Sequence, residues 1–132
     1  MTKKNLSLAL VALALTLTGS SALATDCQLK SALSITAAGA AIDSSGTNEV
    51  RAQRARQRFK VSMDARVPDG TTFAVLANGS LAGTITIELG AGELELNNAD
   101  GKTLPAGVNP VCAIRSIQVL DGTGNPVLQG SF

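Results

Sequence analysis

"RFKVSMDARV", residues 58–67, decides the fold. Phe59, Val61, Met63, Ala65 and Val67 alternate with Arg58, Lys60, Ser62, Asp64 and Arg66. A strict period of two places one set on each face of a β-strand, apolar inward and polar outward. The period recurs in both halves of the downstream chain. In "TITIEL" (84–89) Ile85, Ile87 and Leu89 oppose Thr84, Thr86 and Glu88, and in "ELELNN" (93–98) Leu94 and Leu96 point inward. "SIQVL" (116–120) supplies Ile117 and Val119, and "PVLQGSF" (126–132) closes the chain.

Turn signals separate these runs: "PDG" (68–70), "NG" (78–79), "GAG" (90–92), "ADG" (99–101) and "DGTGNP" (121–126). Each supplies residues that tolerate positive φ or preset a bend. Their spacing leaves no room for βαβ crossovers, and no stretch after residue 67 carries a helical stripe. The pattern predicts an all-β chain, an antiparallel β-sandwich of Ig-like or Greek-key type with about seven or eight strands. The longest loop is "NNADGKTLPAGVNP" (97–110). Within 28–50, "LSIT" (33–36) reads as a short strand and "AAGAAIDSSGTN" (37–48) as an irregular loop or exposed connection.

The N-terminus reads as an export signal. Lys3 and Lys4 form a positive start, "LSLALVALALTLTG" an apolar core, and "SSALA" a small-x-small pattern at Ala22 and Ala24. The apolar run falls short of the roughly 18–20 residues of a membrane span. Cleavage is expected after Ala24, leaving 25–132 as one domain in a secreted or periplasmic protein. Asp26, standing before Cys27, speaks against a lipid anchor.

Without the signal, Lys+Arg falls from 11 to 9 (minus Lys3 and Lys4) against 10 Asp+Glu, a formal charge of −1. Overall charge therefore lends nothing to polyanion binding. Cys27 and Cys112 remain, and in an oxidising compartment such a pair reads as a disulfide. The bridge would tie the mature N-terminus to a point near the C-terminus and hold 28–36 as a strand. The alternative, a reactive dithiol, needs close C-x-x-C spacing and a cationic or histidine neighbour, neither of which is offered.

One stretch departs from the even spread of charge. "RAQRARQRFK" (51–60) packs Arg51, Arg54, Arg56, Arg58 and Lys60 into ten positions. As a strand it would put Arg54, Arg56, Arg58 and Lys60 on one face, opposite Ala55, Gln57 and Phe59. As a helix it would line up Arg51, Arg54 and Arg58, and a tight hairpin near Arg54–Gln57 also fits. The strand reading holds from Gln57 onward. The plain account is a solvated face whose cations pair across strands with Glu88, Glu93 or Glu95. The functional account is a patch for an acidic ligand at Arg54, Arg56, Arg58 and Lys60.

Composition narrows the chemistry. The chain has no His, Trp or Tyr, so Ser–His and Cys–His nucleophiles and imidazole-held zinc or copper are out of reach. Phe59, Phe73 and Phe132 are the only aromatics, too few and too core-like to stack bases, and no nucleic-acid role is expected. "GAG" and "DGTG" lack the helix and Lys-Ser/Thr pair of a phosphate loop. Glu93 and Glu95 share a strand face as possible paired carboxylates. In "DGTGN", Asp121 and Asn125 resemble calcium-holding turns without their full acidic spacing. No catalytic residues, metal or cofactor are expected.

Taken together, "RFKVSM", "PDGTTFAVLANG", "LAGTITIEL", "GELELNNADGKTLPAG" and "PVLQGSF" make residues 50–132 similar to small exported bacterial β-modules of no assigned activity. The middle distantly resembles chordin-type domains, whose sandwich is related to that of copper–zinc superoxide dismutase. This chain has "FAVLANG" where those domains carry histidines, so the resemblance implies a sandwich and no metal chemistry. The expected role is that of a non-enzymatic module acting through its surface, as a structural, adhesive or inhibitory partner of a protein or cell-surface polymer. The alternative is a binder of a polyanionic glycan or anionic cell-surface polymer through 51–60. The mature chain is expected to cross no membrane, and strand donation or acceptance at an open edge is a further possibility.

Overall fold

Alternation becomes architecture in the computed structural model, which describes residues 26–132. The expected signal segment 1–24 and its cleavage site lie outside the described residues. Among the described residues there are nine strands: β1 (Cys27–Ala32), β2 (Ser34–Ile35), β3 (Ser45–Gln53), β4 (Arg56–Asp64), β5 (Thr72–Ala77), β6 (Ser80–Thr86), β7 (Ala91–Asn97), β8 (Ser116–Leu120) and β9 (Pro126–Ser131). Sheet A has the order β1-β3-β4-β7 and sheet B the order β2-β9-β8-β5-β6, and every pairing is antiparallel. The chain is an all-β sandwich. β6 lies against β7 at one side of the sandwich, so β8-β5-β6-β7 follow in the spatial order of a Greek key.

The apolar rows meet between the sheets. Phe59, Val61, Met63 and Ala65 are buried, as are Val75, Ile85, Ile117, Val119, Val127 and Leu128 from sheet B and Ile87 just past β6. Leu94 and Leu96 of β7 pack half-buried against them. The core is built almost wholly from aliphatic side chains, with Phe59 and Phe73 its only buried rings.

Three local readings are corrected. Leu89, expected inward, is 93% exposed. Strand β6 ends at Thr86, and Glu88 and Ala91 pair around a two-residue turn in which Leu89 (φ 54°) and Gly90 (φ 82°) both take positive φ. The chain thus reverses one residue before the glycine cluster that signalled the turn. "AAGAA" is not irregular: Ala37–Ala41 form a short helix, α1, capped by Thr36, whose Oγ1 accepts the Gly39 N–H (3.1 Å). A Cβ on Gly39 would collide with the Val127 carbonyl, which explains the small residues there. The stretch from Ser45 is a full strand, β3, whose inward row is Gly46, Asn48, Val50 and Ala52. Asn48 is 1% exposed and its Oδ1 accepts the Ser31 hydroxyl (2.8 Å).

The disulfide is present. Cys27, the first residue of β1, is joined to Cys112, in a single 3₁₀ turn (Val111–Ala113) that leads into β8, with a Cα–Cα distance of 5.9 Å. It ties sheet A to the long 98–115 connection; the expected single strand over 28–36 is instead two, β1 in sheet A and β2 in sheet B, with the chain changing sheets at Leu33.

Two outcomes test this packing. Phe59→Ala, at a fully buried position, is expected to cost about 3–5 kcal/mol in denaturant unfolding, and Arg58→Ala within about 1 kcal/mol. Equal losses would mean a wrong register. Reduction of Cys27–Cys112, a bridge of sequence separation 85, is expected to cost up to about 4–5 kcal/mol and to lower the melting temperature by many degrees. An unchanged melting temperature contradicts its bracing role.

Candidate functional site

The outward face of sheet A is organised in cross-strand rows, and register decides each row's charge. One row reads Lys30, Glu49, Lys60, Glu95 across β1, β3, β4 and β7. Sign alternates along it, as cross-strand stability favours. The next row reads Gln28, Arg51, Arg58, Asn97. Here two guanidinium side chains project from directly paired positions. Beyond it Gln53 faces Arg56, and Arg54 and Ala55 make the connecting turn.

The turn fixes this arrangement. Gln53 and Arg56 close a two-residue loop in which Arg54 has φ 59°, a conformation that glycine or asparagine adopts more readily. By the alternation of an antiparallel ladder, Arg51 and Arg58 then form a hydrogen-bonded pair with Cα atoms about 5.5 Å apart. Like charges so placed repel. Arg58 is relieved by carboxylates: Nη2 lies 3.8 Å from Glu49 Oε1, and Nε lies 3.4 Å from Glu95 Oε2. Lys60 Nζ stands 3.7 Å from Glu93 Oε1. Arg51, Arg54 and Arg56 make no ion pair among the described residues.

The anticipated patch is therefore divided. Arg56, Arg58 and Lys60 do share one face of β4, but Lys60 and Arg58 are engaged by glutamates, and Arg54 sits in the turn. Arg51 belongs with the free group instead. The sequence counted it within the basic stretch 51–60 but aligned it with other arginines only on a helix, because its neighbour in space is Arg58 and that pairing exists only once the hairpin closes. The expected ion-pair partners Glu93 and Glu95 are used, and Glu49 joins them. The two β7 carboxylates thus serve the cations of β4.

Arg51, Arg56 and Arg58 line an open groove of about 450 Å³. The amides of Gln53, Gln57, Asn97 and Asn98 share its wall, with Asp100 at the side. Hydrogen bonds set the wall. The Gln57 N–H donates to Asn98 Oδ1 (2.9 Å), and Asn98 Nδ2 donates to the Ala55 carbonyl (2.8 Å). Gln57 Oε1 accepts the Val111 N–H (2.8 Å), and Gln57 Nε2 donates to Asn109 Oδ1 (3.2 Å). On the opposite side of the hairpin tip, Asp26 Oδ1 accepts the Arg54 N–H (2.8 Å). Asp26 and Val111 each adjoin a bridged cysteine, so the disulfide fastens both supports of the tip.

Asp121 organises its own turn. Its Oδ1 accepts from Thr123 Oγ1 (2.7 Å), Thr123 N–H (2.9 Å) and Asn125 N–H (2.9 Å), shaping the β8–β9 hairpin. The Thr123 hydroxyl first, then the Asn125 amide, hold its carboxyl below the ordinary range. Among the described residues no group of three acidic, cysteine or histidine side chains is placed to hold a metal ion. No helix of the described residues is long and apolar enough to cross a membrane.

No protein-family model, curated protein or solved structure matches the chain, and its function is read from its own residues.

Proposed function

We propose that this chain is an exported, non-enzymatic β-sandwich module that works through its surface, and that the working surface is the arginine end of sheet A. The ligand it fits is acidic: a polyanionic glycan or another anionic cell-surface polymer. One observation carries this reading. Arg51 is held directly opposite Arg58, with Arg54 and Arg56 beyond them and only Arg58 ion-paired among the described residues. A sheet gains nothing in stability from that crowding, whereas an anion between the guanidinium groups would relieve it. Guanidinium forks match carboxylate, sulfate and phosphate oxygens bidentately.

The fixed amides of Gln57 and Asn98 support the same reading, because a wall already ordered costs less on binding. Gln53 and Asn97 offer further donors and acceptors suited to hydroxyl groups. Recognition built on charge and amides, with no aromatic platform in the groove, is expected to weaken steeply with salt. The Cys27–Cys112 bridge supports an oxidising compartment, in keeping with secretion or a periplasmic location.

Retention on immobilised heparin tests the proposal. The native mature chain is expected to bind at low salt and elute on a salt gradient. Each arginine removed is expected to cost on the order of tenfold in affinity, so the triple variant Arg51→Ala, Arg54→Ala, Arg56→Ala should pass unretained while folded. Lys60→Ala, whose cation already faces Glu93, should elute close to the native chain. Equal elution of native and triple variant would refute the proposal.

A further inference from the structure

A second surface, independent of the arginine groove, is the free edge of β1. The Leu33 N–H donates to the Gly46 carbonyl (2.8 Å) at the end of the β1–β3 ladder. Antiparallel alternation then turns the N–H and C=O groups of Cys27, Leu29 and Ser31 toward β3. Those of Gln28, Lys30 and Ala32 point away from the sheet. β1 is an edge strand of sheet A, so this outward row is an unpaired template.

Beneath the edge the core is open. Leu29 stands opposite Val50, which is buried, yet Leu29 itself is 45% exposed. The cause is sheet B, whose border strand β2 pairs with β9 only at Ser34 and Ile35 and does not extend below β1. An apolar side chain on the core-facing row is thus left half uncovered beside a row of unpaired backbone groups.

We infer that β1 is a homodimer edge, on which β1 of a second copy pairs antiparallel about a two-fold axis at Leu29. The edge is self-complementary in that register. Leu29 meets its symmetry mate, Gln28 faces Lys30, Cys27 faces Ser31, and Asp26 faces Ala32. No like charges oppose one another directly; of the two diagonal neighbours of Lys30, one is the second copy's Asp26 and the other its Lys30. Centring on Lys30 would set two ammonium groups face to face. The outward groups of Gln28, Lys30 and Ala32 all find partners, and the two leucines cover each other in the space sheet B leaves free. Sheet A becomes one continuous eight-stranded sheet across the pair.

Sedimentation equilibrium of the mature chain, with two kinds of variant, tests the inference. The native chain is expected to associate to a dimer as concentration rises. Lys30→Pro removes an outward N–H at an edge position where proline is tolerated, and should give a folded monomer, while Lys30→Gln should dimerise like the native chain. In the proposed register Leu29 and its mate form a non-hydrogen-bonded pair with Cα atoms about 4.5 Å apart, within disulfide reach. Leu29→Cys should therefore cross-link into a covalent dimer under mild oxidation, and Gln28→Cys should not. This arm decides the matter if Lys30→Pro fails to fold. A native chain that stays monomeric, a dimer that survives Lys30→Pro, or cross-linking through Gln28→Cys in place of Leu29→Cys overturns the inference.

Discussion

The register of the β3–β4 hairpin is the constraint on which the rest depends. Closing the chain with two residues, Arg54 and Ala55, pairs Gln53 with Arg56 and every position behind them in turn. Side chains alternate strictly, so a slip of one residue would send Phe59, Val61 and Met63 to solvent and Arg58 and Lys60 into the core. The register that buries those apolar residues also sets Arg51 opposite Arg58. Core formation and the arginine cluster are two consequences of one turn. Arg54 adopts positive φ there, at a cost of about 1–2 kcal/mol, and the buried row on β4 outweighs it.

What holds the tip of that hairpin also shapes its surface. Asp26 accepts the Arg54 amide on one side, and Gln57 and Asn98 link β4 to the 98–115 connection on the other. Both supports abut the Cys27–Cys112 bridge. A small sandwich with an aliphatic core thus concentrates its covalent brace and its amide network at the end where its cations are least neutralised. Toward the opposite end, Lys30, Glu49, Lys60 and Glu95 alternate in sign, and no comparable imbalance remains.

Most of the sandwich was legible because large apolar residues alternate in β4, β7 and β8 and at the end of β6. What escaped did so for physical reasons. The inward row of β3 begins with Gly46 and Asn48, neither of which registers as apolar, although Asn48 is buried and bonded to Ser31. The helix α1 rests on Thr36 capping and on a close approach at Gly39, features of tertiary contact that composition does not display. Leu89 follows the apolar period but lies past the end of β6, where the turn had already begun. The cation-rich stretch was plain, and so was the pairing of Cys27 with Cys112. The separation of paired from free cations was not, because Arg51 and Arg58 become neighbours only across the closed hairpin.

The central claim is that this closed hairpin makes a binding surface for anions at one end of sheet A. Amide nitrogen–proton NMR of residues 25–132 during titration with a heparin-derived oligosaccharide tests it most directly. Shifts are expected to concentrate at residues 51–58 and 97–100, which form the groove, and to fade as salt is raised. Shifts centred instead on Lys30, Arg66, Lys102 or Arg115, or none at saturating ligand, would contradict the account.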